Sequence, residues 1–285
     1  MTRRALLSLL PGLLAAGGCW WSKTTTTPRK PWYDPFEVFG SSPDAVVVMT
    51  ALIDRPGGDP YLTDGLWPAA DKPIPHETAA LLAENGIRVG IISGIPPAEF
   101  SALITSDKAT TARRLNLRRL NEPKVLPVIG PVEALEYAVL PGLKADRLGV
   151  SLAGAECGFE VTPAAATADR VELRLKPQVQ HGPRQSWIKA AADGSGFAWD
   201  SHKPLEDYPT LACTVTVAKG DYLIVGATDK PAGTLGEAFF FAKEPGRVRQ
   251  RVLVIRASRG GPGDDALTEA APRPTRGVAS RVADR

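Results

Sequence analysis

The sequence predicts an α+β protein: a small N-terminal α/β unit followed by an antiparallel, β-rich domain folded as a sandwich or a strongly curved sheet. Three observations lead there. Apolar and polar side chains alternate with period two over residues 171–179 and 211–217, the pattern of half-buried antiparallel strands. The 285 residues include 26 Pro and 27 Gly, which interrupt the chain often enough to favour short strands over long helices. The segments with helical start and stop signals fall between residues 63 and 104.

At the N-terminus, residues 1–18 have the anatomy of a secretory signal. Arg3 and Arg4 precede an apolar run from Ala5 to Leu14, and Ala15-Ala16-Gly17-Gly18 lead to Cys19. The run is too short for a permanent membrane-spanning helix. Removing the two arginines leaves 32 basic against 31 acidic side chains, which is no footprint for nucleic acid. An apolar fraction of 44% is enough for a normal core. Residues 19–43 read as an extended tether: Thr24–Thr27, then Pro28, Pro31 and Pro35 among Trp32, Tyr33, Phe36 and Phe39. Trp20 and Trp21 suit a bilayer interface, whereas Trp32 to Phe39 either share that role or dock on the first unit.

Residues 44–104 form the expected small unit. Ala45–Ile53 is rich in β-branched residues and reads as a buried strand. A first helix is expected near Thr63 to Asp71. A better one runs from Pro75 to Glu84, where Pro75 suits the first turn and Asn85-Gly86 supplies a left-handed stop. Ile87–Ile92 is a second strand, and Pro97 opens a further helix. His76 has no second ligand at metal spacing and reads as a surface or capping residue. Asp54, Asp59 and Asp64 lack the spacing, central glycine and terminal Glu of a calcium loop.

Residues 105–257 carry the β-rich domain. Arg113, Arg114, Arg118 and Arg119 stand around Leu115, Leu117 and Leu120; a basic binding patch is one reading, and a solvated strand face is the commoner one. Glu133–Leu140, Val171–Val179 and Leu211–Val217 are strands, and Tyr222–Val225 and Val252–Ile255 are apolar enough to be central. Lys219-Gly220-Asp221 is a tight turn in which Gly220 can take positive φ. Residues 258–285 are rich in Arg, Pro, Gly and Ala and read as a disordered tail.

Two resemblances follow from these residues. The small residues before Cys19 resemble the lipobox of bacterial lipoproteins, although Ala16 stands where Leu is more frequent. The resemblance implies lipidation of Cys19, and Trp20 in the next position implies the outer membrane; an ordinary cleaved signal is the alternative. The succession Gly158-Phe-Glu-Val-Thr-Pro, Val171-Glu-Leu-Arg-Leu-Lys-Pro, Thr214-Val-Thr-Val, then Gly220-Asp-Tyr-Leu-Ile-Val-Gly resembles the C-terminal β-domain of bacterial secretins. Leu235-Gly236, Phe239-Phe240 and Arg251-Val-Leu-Val-Ile-Arg fall where that family has its "L-G…F" turn and last strand. The family's double glycine is here Gly226-Ala227, its "P-x-L-G-x-I-P" segment is shortened, and one small N-terminal unit replaces the usual series.

For function, Gln180 to Lys203 reads as a long loop on a rigid sheet, with Trp187, Trp199, His181 and His202 as partner-binding candidates. The two tryptophans either anchor a partner or close over the sheet as core. Cys157 and Cys213 form a disulfide on neighbouring strands or remain two buried thiols, structural in either case. His181, His202 and Cys213 are one ligand short of a metal site, so no metal or cofactor is expected. The chain has no Gly-x-Ser-x-Gly elbow, Ser-x-x-Lys, His-Glu-x-x-His or phosphate-cradling loop. The expectation is a non-enzymatic, lipid-anchored envelope protein whose secretin-like domain assembles with other envelope proteins or with itself. The alternatives are a ligand-binding lipoprotein using residues 180–203 and a hydrolase assembled from scattered Asp, Glu and His.

Overall fold

A computed structural model describes residues 45–167, 169–190, 196–229 and 231–259. The expected signal, Cys19, the tether and all but the first two residues of the expected tail lie outside these described residues.

In chain order the strands are β1 (Ala45–Pro56), β2 (Ile87–Ile92), β3 (Thr110–Arg119), β4 (Lys124–Val139), β5 (Leu148–Ala166), β6 (Arg170–Gln180), β7 (Gln185–Ala190), β8 (Phe197–His202), β9 (Leu205–Asp207), β10 (Cys213–Ala218), β11 (Tyr222–Ala227), β12 (Phe241–Glu244) and β13 (Arg247–Arg259). The helices are α1 (His76–Glu84), α2 (Ala98–Thr105) and α3 (Leu235–Phe240). The helix expected near Thr63–Asp71 is instead a π-helical turn at Tyr61–Gly65 followed by a 3-10 turn at Trp67–Ala69. Pro68 denies the segment a continuous α-helical ladder.

Two antiparallel sheets form the body. The first has the order β2-β11-β13-β1-β3, with β12 also on β13. The second has the order β10-β6-β5-β4, with β9 also on β6. Their inner faces share one core: Val46, Val48, Val225, Leu253 and Ile255 from the first, and Phe159, Val161, Leu173, Val215 and Val217 from the second. The strand period of two then sends Ile53, Ile224, Val252 and Val254 to the outer face of the first sheet, where Leu62, Leu66, Phe100 and Leu103 cover them. A layer of turns and α2 thus lies on a β-sandwich. The expected α+β class and the central placing of Tyr222–Val225 and Val252–Ile255 match this architecture.

The expected division at residue 104 is corrected by the pairing. β1 and β2 fall in the predicted small unit, yet β1 pairs β13 over Val46–Pro56, and β2 pairs β11. No separate N-terminal sheet exists among the described residues, because the strands that complete it come from 130 and 200 residues downstream. The boundary at 257 also moves slightly, since β13 continues to Arg259.

The strands are longer than the Pro and Gly content suggested. β4 and β5 run for 16 and 19 residues. Pro127 and Pro131 are tolerated in β4 because it is the edge of its sheet, and Pro163 sits at a register shift. Pro177 lies in central β6, in the gap between the part that β10 pairs and the part that β9 pairs. Its missing N–H therefore breaks no ladder on that side.

The tight turn at Lys219–Asp221 is present, with Gly220 at φ 98° and the Asp221 N–H donating to the Ala218 carbonyl at 3.1 Å. It makes no hairpin: β10 belongs to the second sheet and β11 to the first. The expected stop after Glu84 is also present, with Gly86 at φ 78°. Buried Asn85 uses its side-chain amide as a backbone substitute, donating to the Leu140 carbonyl at 2.9 Å and accepting from the Leu140 N–H at 2.7 Å. This ties the end of α1 to the far end of the β4–β5 hairpin.

Candidate functional site: an exposed aromatic hairpin

Residues 180–203 are not a loop. Within them β7 pairs antiparallel with β8, a hairpin that forms a two-stranded sheet of its own. Sequence reasoning missed it because its apolar side chains face solvent, so the strand pattern lacks a buried side to complete it.

The register divides the hairpin into two faces. Ser186 opposes Ser201, Ile188 opposes Trp199 and Ala190 opposes Phe197, all on one face. Ser186 and Ser201 hydroxyls hydrogen-bond across it at 3.0 Å. Beyond them the face is apolar and open: Ile188 is 56%, Trp199 76% and Phe197 82% exposed. The other face carries Trp187 and His202, whose rings meet edge to face at 4.0 Å. That contact leaves Trp187 at 38% exposure. Of the four candidates, Trp187, Trp199 and His202 lie on the hairpin, but only Trp199 belongs to its open apolar face.

His181 sits at the root of the hairpin. Its N–H donates to the Pro204 carbonyl at 3.0 Å, and its Nε2 lies 3.9 Å from Glu206 Oε1. Gly182, at φ 63°, donates to the Ala153 carbonyl at 2.8 Å, and Lys203 pairs with Glu156 at 3.8 Å. β9 then returns onto β6. The root is thus fastened on both sides to the second sheet, while the strands beyond it stand clear. Both outer edges of the two-stranded sheet lack a strand partner among the described residues.

The cysteines do not meet the disulfide alternative. Both are free and buried. Cys157 opposes Val179 and Cys213 opposes Leu175, so β6 runs between them. Strands two apart are separated by about 9.5 Å, beyond the roughly 7 Å that a disulfide spans. Burial pushes both thiols up to about 12. Cys213 is accordingly a core residue and not a companion to His202. Among the described residues no group of three or more His, Cys, Asp or Glu could hold a metal ion.

Two of the three carboxylates considered for calcium have other partners. Asp54 accepts from Arg249 Nε at 2.7 Å and Arg251 Nε at 3.3 Å. Asp59 accepts from Arg55 Nε at 2.8 Å and from the Tyr61 N–H at 3.0 Å.

One concavity was not legible in the sequence. A largely apolar groove of about 530 Å³ lies between α1 and edge strand β2, lined by Trp67, Ile74, Leu82, Ile87 and Val89. The Arg88 guanidinium lies 4.2 Å from the centre of the Trp67 ring, and burial lowers it to about 10 against the opposing pull of Asp229 and Asp64. It stays charged at neutral pH. His76, Lys72, Thr228 and Asp229 are the other polar residues that line it.

No family model matches the chain, and no curated protein matches it. Among solved structures it is similar to the secretin-domain β-barrel of InvG from the Salmonella SPI-1 injectisome base, at 11% identity and a TM-score of 0.22. The match covers 80% of this chain and 66% of that one, just under two thirds of its length. A likeness of this degree does not define an architecture.

Proposed function

We propose that this chain is an envelope protein, anchored through lipidated Cys19, that acts by protein–protein assembly and not by catalysis. The β7–β8 hairpin is its assembly element. The observation that carries this reading is a two-stranded sheet with Ile188, Phe197 and Trp199 all open to solvent on one face. An isolated hairpin is marginal in water, and an exposed apolar patch with free strand edges invites strand addition. Further strands paired to β7 or β8 extend the sheet, and a partner laid on the Trp199 face removes the aromatic surface from water. Large aromatics of this kind bury about 150–250 Å² each, at about 25 cal/mol per Å², which is ample drive for association. The order of strand motifs that resembles the secretin β-domain supports the same reading, and self-association through the hairpin is its simplest form.

The test is light scattering on the Cys19→Ser chain with and without mild detergent, beside the double variant Phe197→Ser, Trp199→Ser. Assembly of the former and a monomeric double variant are expected. A parent that stays monomeric at every concentration, with no envelope partner recovered on the hairpin face, overturns the reading.

A further inference from the structure

The end of the sandwich at which β1 begins is basic. Ala45 begins β1, and it opposes Arg119 on β3, while its neighbour Val46 opposes Arg259 on β13. Other strand ends gather there. β4 starts at Lys124, whose Nζ donates to Asn116 Oδ1 at 3.2 Å, the turn between β10 and β11 presents Lys219, and β6 starts at Arg170. Arg259 also donates to the Ala166 carbonyl at the close of β5. All five cations are exposed. The acids near this end include Glu122, which accepts from the Arg119 N–H, Asp169, Asp221, turned inward to the Ala218 N–H, and exposed Glu99 in the first turn of α2.

A second feature shares this end. Ile92 opposes Tyr222, so β2 finishes where β11 starts, and the loop beyond it reads Ser93-Gly94-Ile95-Pro96-Pro97. Ile95 is 97% exposed. A bare aliphatic side chain on a proline-stiffened loop, beside several cations, matches the two layers of a bilayer surface. The apolar group enters the acyl boundary while guanidinium and ammonium groups meet phosphates.

We propose that this end of the sandwich lies against anionic lipid headgroups of the membrane that holds Cys19. The inference rests on the lipid-anchored reading above and adds an orientation to it. The hairpin root follows Gln180, at the other end of β6, and 11 residues of strand span about 36 Å. With the basic end on the membrane, the aromatic hairpin is presented away from that surface, toward a partner and not toward its own leaflet.

Vesicle co-sedimentation of the mature chain, residues 19–285 with Cys19→Ser, tests this without the lipid. Vesicles of phosphatidylcholine alone are compared with vesicles containing phosphatidylglycerol, at low and high salt. Each cation near an anionic surface is worth roughly fivefold in partitioning, so Arg119→Glu with Arg170→Glu is expected to weaken binding at least ~25-fold. Ile95→Ser is expected to weaken it severalfold without changing its salt dependence. Lys144→Glu with Arg184→Glu, away from this end, leaves binding unchanged. Equal binding to both vesicle types, no binding to either, or a loss caused by Trp199→Ser instead overturns the proposal. Failure of the anchor reading is seen separately: the intact mass of membrane-extracted native protein then shows Cys19 without acyl chains.

Discussion

Replacing Asp54 by Asn should unfold the two sheets together and at lower denaturant. Asp54 lies on β1 with its side chain 9% exposed, between Arg249 and Arg251 of β13. Arg249 also donates to the Asp54 carbonyl at 3.1 Å, and Arg251 reaches across to the Val128 carbonyl of β4 at 2.7 Å. One carboxylate therefore organises a link from the first sheet to the second. Removing one partner of a buried ion pair costs about 3–5 kcal/mol. Both guanidiniums retain some access to water, 27% and 20%, which favours the lower end of that range. About 3 kcal/mol corresponds to a fall in Tm of about 6–12 °C for a body of this size. Urea unfolding followed by circular dichroism and by tryptophan fluorescence is the assay, with an unchanged m-value and coincident transitions expected. A loss below about 0.5 kcal/mol, or two separate transitions, would refute the argument that residues 45–104 and 105–259 share one core.

Other outcomes follow from named contacts. Cys157 and Cys213 should resist alkylation at pH 8 in the folded protein, and reductant should leave stability unchanged. Because burial raises both thiols from near 9 to about 12, their contribution is fully present below pH 9 and is lost as pH rises toward 12, readable as a falling urea midpoint. Gly236→Ala should destabilise by about 3 kcal/mol or more, since a Cβ there would lie 2.0 Å from the Gly86 carbonyl oxygen. Gly220→Ala, with open space but φ at 98°, should cost only about 1–2 kcal/mol. Phe197→Ser with Trp199→Ser should leave the midpoint within about 0.5 kcal/mol, because both side chains are exposed. The same pair should abolish association. A large stability loss in that pair would mean the hairpin packs on its own domain.

Much of the strand grammar was legible. Cys213, Val215 and Val217 alternate with Thr214 and Thr216 because one face of β10 is core and the other is water, and the burial follows that alternation; Leu211, expected in the same strand, is buried but instead ends a 3-10 turn. The stop at Gly86 and the turn at Gly220 were legible because each needs a residue that tolerates positive φ. What those local signals do not carry is the partner of each strand. A tight turn at Gly220 has the same chemistry whether it joins neighbours in one sheet or, as here, two different sheets. The pairing of β1 with β13 spans about 200 residues, so the division at 104 looked natural when both ends were read locally. Asp54 illustrates the consequence: its burial makes sense only once Arg249 and Arg251 arrive from β13. The hairpin was hidden for the opposite reason. Ile188, Phe197 and Trp199 are strand-forming residues with no core to face, and a polar stretch holding exposed aromatics reads as a loop.

Backbone amide hydrogen exchange across residues 185–190 and 197–202 tests the assembly reading most directly. It should be measured on the native protein and on the Phe197→Ser, Trp199→Ser double variant. Strand addition predicts slowed exchange in both hairpin strands of the native protein, about a hundredfold or more for amides that gain partners, with fast exchange in the variant. Fast exchange of these amides in both samples would contradict the claim that the hairpin is where this protein meets its partner.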